Sequence, residues 1–352
     1  MIKKEDLRAA VGQGIVTAEQ AASLIALASN RRNAVESAAP GEEPFTLFRG
    51  FNEIFIVVGL TILFSAWSAL AFSMVYDFKT GVGSPAALFM AALTLAGLAL
   101  LSRYFTLKRR MVAPSIALAI MTAITTYFTG MILVTLLGLT GNAGQLLCWV
   151  AVALVTLAYY QIYRVPFSVL IIAVAVLWTL WAFLAQMGLL PPVGDLSGIL
   201  QDRAVSTLSV FFGLLLFILA MRFDMSDPHR MTTRSATGFW LHVASAPLIV
   251  NIVALRLIDQ PGTVPQITLL AFLLILAVIA VIIDRRSFLV SGAGYAVMQL
   301  FRAFDNSALA ILVLGISLVL LGSYWERTRH TLMRTLPDFP GKSRLPPYSE
   351  AI

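Results

Sequence analysis

The chain has 352 residues, of which 59% are apolar and only 12% are charged. A water-soluble domain carries about 25% charged residues, so this composition excludes an ordinary soluble fold and indicates a membrane protein. The net charge of +7 would suit nucleic acid only if the basic residues shared one face; they are scattered between apolar runs, and we expect no nucleic-acid partner.

Residues 1–30 predict a cytoplasmic hairpin of two short helices. The first, from Lys4 to Gln13, would end at Gly14, because glycine readily adopts the left-handed conformation that follows a helix. The second would begin at Thr17, and Gln20 three residues later would complete a capping box. The hairpin has too little apolar surface to be stable alone. We expect it to pack on a protein partner, on the membrane face or on a second copy of the chain.

Residues 31–50 predict a tether, and residues 51–325 predict a bundle of transmembrane helices. A span needs about 20 helical residues to cross roughly 30 Å of hydrocarbon. Ten apolar runs approach or exceed that length, and the first of them would serve as the targeting signal. The predicted spans are Ile54–Val75, Pro85–Leu101, Val112–Leu137, Gln145–Tyr163, Val165–Leu189, Ala204–Met221, Phe239–Leu257, Gln266–Ile283, Phe288–Phe301 and Ala308–Tyr324. The fold class is therefore an all-α polytopic transmembrane bundle of about ten spans, with nine or eleven as alternatives.

The lysine and arginine distribution predicts the orientation of these spans. Cytoplasmic loops of membrane proteins are enriched in both residues. With a cytoplasmic amino terminus and ten spans, 21 of the 25 basic residues fall on the cytoplasmic side. We therefore expect both termini in the cytoplasm and a multi-pass protein of the plasma membrane.

Residues 326–352 form a basic, proline-rich tail, which we expect to be disordered and to contact anionic lipid headgroups. The stretch from Leu7 to Ala21, with its Gly14-Ile15-Val16-Thr17 turn, resembles the hairpin that precedes the spans in uncharacterised families of bacterial multi-pass membrane proteins. The tail, with Leu336-Pro337 and Leu345-Pro346-Pro347, is similar to the tails of such proteins. The resemblance implies a bacterial inner membrane and no known activity.

Motifs for enzyme or metal chemistry are absent from the sequence. The histidines, His229, His242 and His330, lack metal-binding spacing, and neither a Gly-x-Ser-x-Gly elbow nor a phosphate-binding Gly-x-x-x-x-Gly-Lys loop occurs. Asp224, Asp227 and His229 fall in one predicted loop, where we interpret them as solvated. We expect no cofactor, no metal and no enzymatic activity.

Ionisable residues deep within the predicted spans are nearly absent, which argues against a proton- or sodium-coupled transporter. Glu53 begins the first span, where its carboxylate would reach headgroup water. In the seventh span, Pro247 should kink or open the helix near Val243, and Asn251 lies one turn further on the same face. This pair predicts either a packed kink or one wall of a polar cavity. His242 lies on the opposite side of the helix from Asn251.

The ninth span carries a polar stripe that must face something other than lipid. Its members are Ser291, Tyr295, Gln299 and Arg302. Arg302 would pair with Asp305 near the outer surface, and Arg256 would pair with Asp259 at the outer end of the seventh span. Structural ion pairs are one interpretation. The other is that the stripe and Asn251 line a cleft open to the outside.

Two functions fit these features. The first is a non-enzymatic anchor, scaffold or sensor whose hairpin docks a cytoplasmic partner. The second is a secondary transporter or exporter of a small neutral or amphiphilic solute, because ten spans would divide into two inverted halves of five. Transport predicts a hydrated cavity around Asn251 and Gln299, whereas anchoring predicts a tightly packed bundle.

Overall fold

The structure, a computed structural model, describes residues 10, 12–17, 20, 51–75, 85–193, 202–228, 230, 233–258, 260–303 and 307–346. Every regular element in these ranges is a helix, which confirms the predicted all-α class. The long helices are α1 (Phe51–Val75), α2 (Pro85–Ser102), α3 (Val112–Leu136), α4 (Gly141–Tyr163), α5 (Ser168–Gln186), α6 (Arg203–Ser226), α7 (Thr233–Ile258), α8 (Thr263–Ile283), α9 (Ser287–Ala303) and α10 (Ser307–Ser323). A π-helical turn (Arg103–Lys108) continues α2, and α11 (Trp325–Thr335) and a 3-10 turn (Lys342–Arg344) follow α10.

Eight of the described helices, α1 to α8, are long and apolar enough to cross a membrane. The protein is therefore a polytopic membrane protein. Helices α9 and α10 have 17 residues each, slightly fewer than the roughly 20 that a span needs. The count of ten crossings stays a prediction.

Several helices extend beyond their predicted ends, and α7 begins at Thr233 rather than Phe239. Helix α4 begins at Gly141 rather than Gln145, and α6 continues to Ser226 rather than ending at Met221. In α6 the added turn contains Asp224, whose carboxylate is buried. The predicted boundary was wrong because a charged residue was taken as a sign of solvent.

Hydrogen bonds between helix ends show which ends lie together. The Ala113 N–H, at the start of α3, donates to Oε2 of Glu53, at the start of α1, over 3.1 Å. The Tyr159 hydroxyl, near the end of α4, donates to the Ser102 hydroxyl, at the end of α2, over 3.1 Å. The starts of odd-numbered helices and the ends of even-numbered ones therefore share one end of the bundle, which we call the Glu53 end.

The opposite end holds the complementary set of termini. The Val193 N–H, which follows α5, donates to Oδ1 of Asn142, at the start of α4, over 3.2 Å. Nη2 of Arg256, near the end of α7, donates to the Ser206 hydroxyl, near the start of α6, over 2.8 Å. Successive helices thus run in alternating directions.

Helix α7 is the central helix of the second half of the chain. Within its most apolar stretch 56% of residues are buried, against 6% in α1, whose side chains mainly face outward. Helix α6 approaches α7 closely at Gly213, where an added Cβ would lie 2.9 Å from the Leu248 Cβ. Close approach at a small residue is typical of membrane helices. Contrary to the predicted opening near Val243, residues 233–258 form one helix that passes through Pro247.

The residues after α10 form a packed segment, which we call the C-terminal cap (residues 325–346). Trp325, Met333 and Leu345 are buried there, and Nη2 of the buried Arg329 donates to the Pro346 carbonyl over 2.6 Å. The prediction of a disordered tail was therefore wrong for these residues. The composition was misleading because the three arginines of this short helix were taken as solvated, whereas one of them, Arg329, is buried.

The turn of the amino-terminal hairpin forms as predicted. Gly14 has a φ of +72°, and the Ile15 N–H donates to the Ala10 carbonyl over 2.9 Å. The Gln20 N–H donates to the Thr17 hydroxyl over 3.1 Å, and the Thr17 N–H donates to the Gln20 side chain over 3.0 Å. These reciprocal bonds are the capping box. The rest of the hairpin and the tether lie outside the described residues.

In the links between the long helices, left-handed backbone conformations divide between the two ends by residue type. At the Glu53 end the described links between α2 and α3, α4 and α5, α6 and α7, and α8 and α9 each contain one charged residue with positive φ. These residues are Arg110, Arg164, Arg230 and Asp284, with φ values of 53°, 55°, 52° and 58°. At the opposite end, Gly138, Gly188 and Gly262 adopt positive φ instead. Only glycine adopts this conformation without steric cost.

Candidate functional site: a buried charge cluster at the Glu53 end

Three ionisable side chains meet inside the bundle near the Glu53 end. Asp224 lies in the last turn of α6, His242 lies in α7, and Arg285 lies in the link between α8 and α9. Nη2 of Arg285 donates to Asp224 Oδ1 over 2.5 Å, and its Nε donates to Oδ2 over 3.0 Å. His242 Nε2 lies 2.9 Å from the same Oδ2. We call these three residues the Asp224 cluster.

The Asp224 cluster is closed to solvent. Asp224 is 3% exposed, and His242 and Arg285 are 0% exposed. A carboxylate only accepts hydrogen bonds, so Nε2 of His242 carries the shared hydrogen. With a neutral imidazole, the Arg285 cation offsets the Asp224 anion. This two-pronged pairing is the geometry that stabilises a buried arginine and carboxylate.

Backbone and aromatic neighbours hold the cluster in place. The Arg285 guanidinium also donates to the Ser235 carbonyl over 3.2 Å. The His242 ring contacts Phe217 and Phe288 edge-on, with centroids 5.6 and 6.0 Å away. Gly238 leaves room for the carboxylate, since a Cβ there would collide with Asp224 Oδ1. The site therefore joins α6, α7 and the start of α9.

A second set of contacts connects the C-terminal cap to the same link. Nη1 of Arg230 lies 3.1 Å from Asp284 Oδ2, and its Nη2 donates to the Asp284 carbonyl over 2.7 Å. The Trp325 indole N–H donates to Asp284 Oδ1 over 2.7 Å. The Arg286 guanidinium lies over the Trp325 ring, 5.2 Å from its centroid. The link between α8 and α9 thus connects α6, α7 and the C-terminal cap through three consecutive residues, Asp284, Arg285 and Arg286.

Two nitrogen atoms of the Asp224 cluster keep an open hydrogen-bonding position. His242 Nδ1 and Arg285 Nη1 are buried and have no partner among the described residues. Nδ1 of this tautomer accepts a hydrogen bond, whereas Nη1 donates one. Each nitrogen could therefore bind one water molecule or one polar group of a ligand.

Several sequence-based interpretations of polar residues were wrong. Asp224 is buried within a helix rather than solvated in a loop, and Asp227 is also buried, at 7% exposure. His229 lies outside the described residues. Glu53 is 5% exposed and caps the start of α3 instead of reaching headgroup water. An anion at a helix amino terminus is favourable because it compensates the unpaired N–H groups there.

Asp224 was overlooked as an ionisable residue of a span, because the predicted span ends at Met221 whereas α6 continues to Ser226. Asp224 and His242 both lie in helices that meet the length and hydropathy of spans. The sequence held one local signal, namely that Asp224 and Arg285 lie within three residues of the apolar runs that end at Met221 and Ile283. Their pairing was beyond sequence reasoning, because the partners of Asp224 are 18 and 61 residues away.

Three of the predicted polar cavity residues, Pro247, Asn251 and Tyr295, lie farther from the Glu53 end than the Asp224 cluster does. Pro247 and Asn251 are partly buried on α7, and α9 packs beside this helix through Tyr295, which contacts two core clusters containing α7 residues. Gln299 and Arg302 lie on α9, and their side chains are not described. Asp305 and Asp259 lie outside the described residues, while Arg256 bonds Ser206. The cavity stays a prediction.

Within the described residues, no group of three or more His, Cys, Asp or Glu side chains is close enough to bind a metal ion. The Asp224 cluster has only two such members and an arginine. Its arrangement suits holding helices together or accepting a small polar molecule.

Comparisons with known proteins supply no family. No protein-family model, curated protein or solved structure matches the chain.

Proposed function

We propose that this integral membrane protein is a non-enzymatic anchor or scaffold that presents its amino-terminal hairpin to a cytoplasmic protein. The observation that carries this proposal is the exposed apolar tip of the hairpin turn. Ile15 is 70% exposed, although the turn around it is fixed by the Gly14 conformation and the Thr17–Gln20 capping box. A preformed turn with an exposed isoleucine suits docking, because little conformational entropy is lost on binding.

The contacts between helices also support an anchoring role. Three sets of contacts lie at one end and join helices through paired charges and hydrogen bonds. They are the Asp224 cluster, the contacts of Asp284 and the bond from the Ala113 N–H to Glu53. Such a set of contacts favours a fixed platform. Helix α1 begins at this same end, so the chain that precedes Phe51 joins the bundle there. The lysine and arginine bias supports a cytoplasmic location for this end.

Photocrosslinking in intact cells tests the docking role. A photoreactive amino acid replaces the exposed Gln13, two residues from Ile15 on the same turn. We expect an adduct of defined mass in the full-length protein. Ile15→Asp should reduce its yield at least tenfold, because a carboxylate replaces an apolar contact worth roughly 2 kcal/mol. Ile15→Leu is the matched control and should keep the yield.

The outcomes separate the alternatives. An adduct at twice the mass of the chain would identify a second copy as the partner. Equal yields from the Ile15→Asp and Ile15→Leu proteins, or no adduct at all, would refute docking through this turn.

Transport of a small solute is the second candidate, and the open positions on His242 Nδ1 and Arg285 Nη1 favour it. Intramembrane ionisable residues often mark substrate or proton pathways. In a Cys148→Ala background, single cysteines at positions 251 and 299 would be treated with a membrane-impermeant thiol reagent from each side. Labelling of either cysteine from both sides would support transport. Inert cysteines would leave the docking function as the better explanation.

A further inference from the structure

A groove beside the π-helical turn at the end of α2 combines basic and apolar side chains. It has a volume of about 480 Å³ and is lined by Leu100, Arg103, Tyr104, Leu107 and Lys108. Leu100 is 70% exposed and Leu107 is 47% exposed. The groove thus has an apolar wall along the helix and cationic groups at the end of the predicted span.

The π-helical turn separates an inner from an outer face. The Arg109 N–H donates to the Tyr104 carbonyl over 2.9 Å, the five-residue spacing of a π-helix. Phe105 and Thr106 are turned inward, where Phe105 packs on the core and the Thr106 hydroxyl donates to the Ser115 hydroxyl over 2.8 Å. The groove residues remain outside. Single π-turns within helices frequently occur at functional sites.

The cations around the groove are exposed and have no acidic partner in the part of the chain that the structure describes. Arg103, Lys108, Arg109 and Arg110 are all exposed, and none of them forms an ion pair among the described residues. Tyr104 organises two of them. Nε of Arg109 donates to the Tyr104 hydroxyl over 3.1 Å, and the Lys108 ammonium lies 5.8 Å from the centroid of its ring. Tyr104 therefore keeps the positive charges of Lys108 and Arg109 beside the groove.

We propose that this groove binds an anionic phospholipid. The phosphate would contact Arg103 and Lys108, and an acyl chain would lie against Leu107 of the π-helical turn and Leu100 of α2. Basic clusters next to the cytoplasmic end of a span attract anionic headgroups. A lipid fits better than free phosphate because the apolar wall continues directly from the cations into the predicted membrane region.

Native mass spectrometry of the full-length protein tests this site. The purified protein is exposed to equal amounts of phosphatidylglycerol and phosphatidylethanolamine, and the ratio of the two bound lipids is measured. We expect the wild type to retain phosphatidylglycerol preferentially. The double variant Arg103→Gln/Lys108→Gln should lose this preference by about fivefold for each removed charge, which is the attraction of one basic residue near an anionic surface.

Arg164→Gln/Arg222→Gln is the matched control, because both residues are exposed arginines at the Glu53 end that do not line the groove. It should keep the wild-type ratio. An equal loss in both double variants would show a non-specific charge effect and overturn the proposal. Leu107→Gln separates lipid from phosphate binding. It should also reduce retention, whereas unchanged retention together with displacement by soluble glycerophosphate would show a phosphate site and refute the lipid site.

Discussion

The buried pairing of Asp224 and Arg285 determines what a single substitution does at this end of the bundle. Removing one partner of a buried ion pair leaves the other charge without compensation, at a cost of about 3–5 kcal/mol. Replacing both partners by apolar residues removes that cost. The cluster is therefore more sensitive to single than to double changes.

We predict that Asp224→Asn will lower the thermal unfolding midpoint of the purified protein markedly, while Asp224→Leu/Arg285→Leu will recover much of the loss. Tryptophan fluorescence during heating in detergent measures both. Asp338→Asn is the control, since Asp338 pairs with Lys342 over 3.2 Å but its side chain is 99% exposed, and the midpoint should not change. Similar midpoints for the Asp224→Asn and Asp338→Asn variants would contradict the assigned role.

At the residue scale, sequence reasoning succeeded where the interacting groups are close along the chain. Thr17 and Gln20 are three residues apart, and both of their bonds were predicted correctly. It failed for Glu53, whose partner Ala113 is 60 residues away. A pattern of residue types carries local geometry, but it does not say which helices become neighbours.

At the scale of elements, the apolar runs predicted the helices well because length and hydropathy are local properties. The errors fell at ends such as that of α6, where a tertiary contact buries a charge. The C-terminal cap shows the same effect, since α11 buries Trp325 and Arg329 although its sequence is strongly basic. Burial of a polar side chain depends on partners that hydropathy does not encode.

Trp325 should hold the cap onto the link between α8 and α9. We predict that Trp325→Ala will accelerate tryptic cleavage after Lys342 and Arg344 at least tenfold, because the change removes the Asp284 bond, the Arg286 contact and a large buried ring. Cleavage of a locally opened segment follows the population of the open form. The neighbouring Tyr324, which is 48% exposed, provides the control. Equal rates for Tyr324→Ala and Trp325→Ala would show that the indole does not hold the cap.

At the scale of the whole molecule, the alternating helix directions agree with a chain that crosses the membrane repeatedly. Charge bias predicts that the Glu53 end faces the cytoplasm. In a Cys148→Ala background, Leu139→Cys at the opposite end should react with an impermeant maleimide in intact cells. Arg109→Cys at the Glu53 end should react only after the membrane is permeabilised. The reverse pattern would establish an inverted orientation.

The links with left-handed residues form similar backbone turns at both ends of the bundle. Their side chains nevertheless differ, because one end uses charged residues and the other uses glycine. Glycine would satisfy the backbone at Arg110, Arg164 and Arg230 without steric cost, as it does at Gly138 and Gly188. The chain instead tolerates roughly 1–2 kcal/mol of strain at each arginine. A glycine in these links would relieve the backbone strain. It would also remove a cation from the end that the charge bias predicts to remain in the cytoplasm during insertion. Under the predicted cytoplasmic location of this end, folding stability and the direction of insertion place opposite demands on the same three positions.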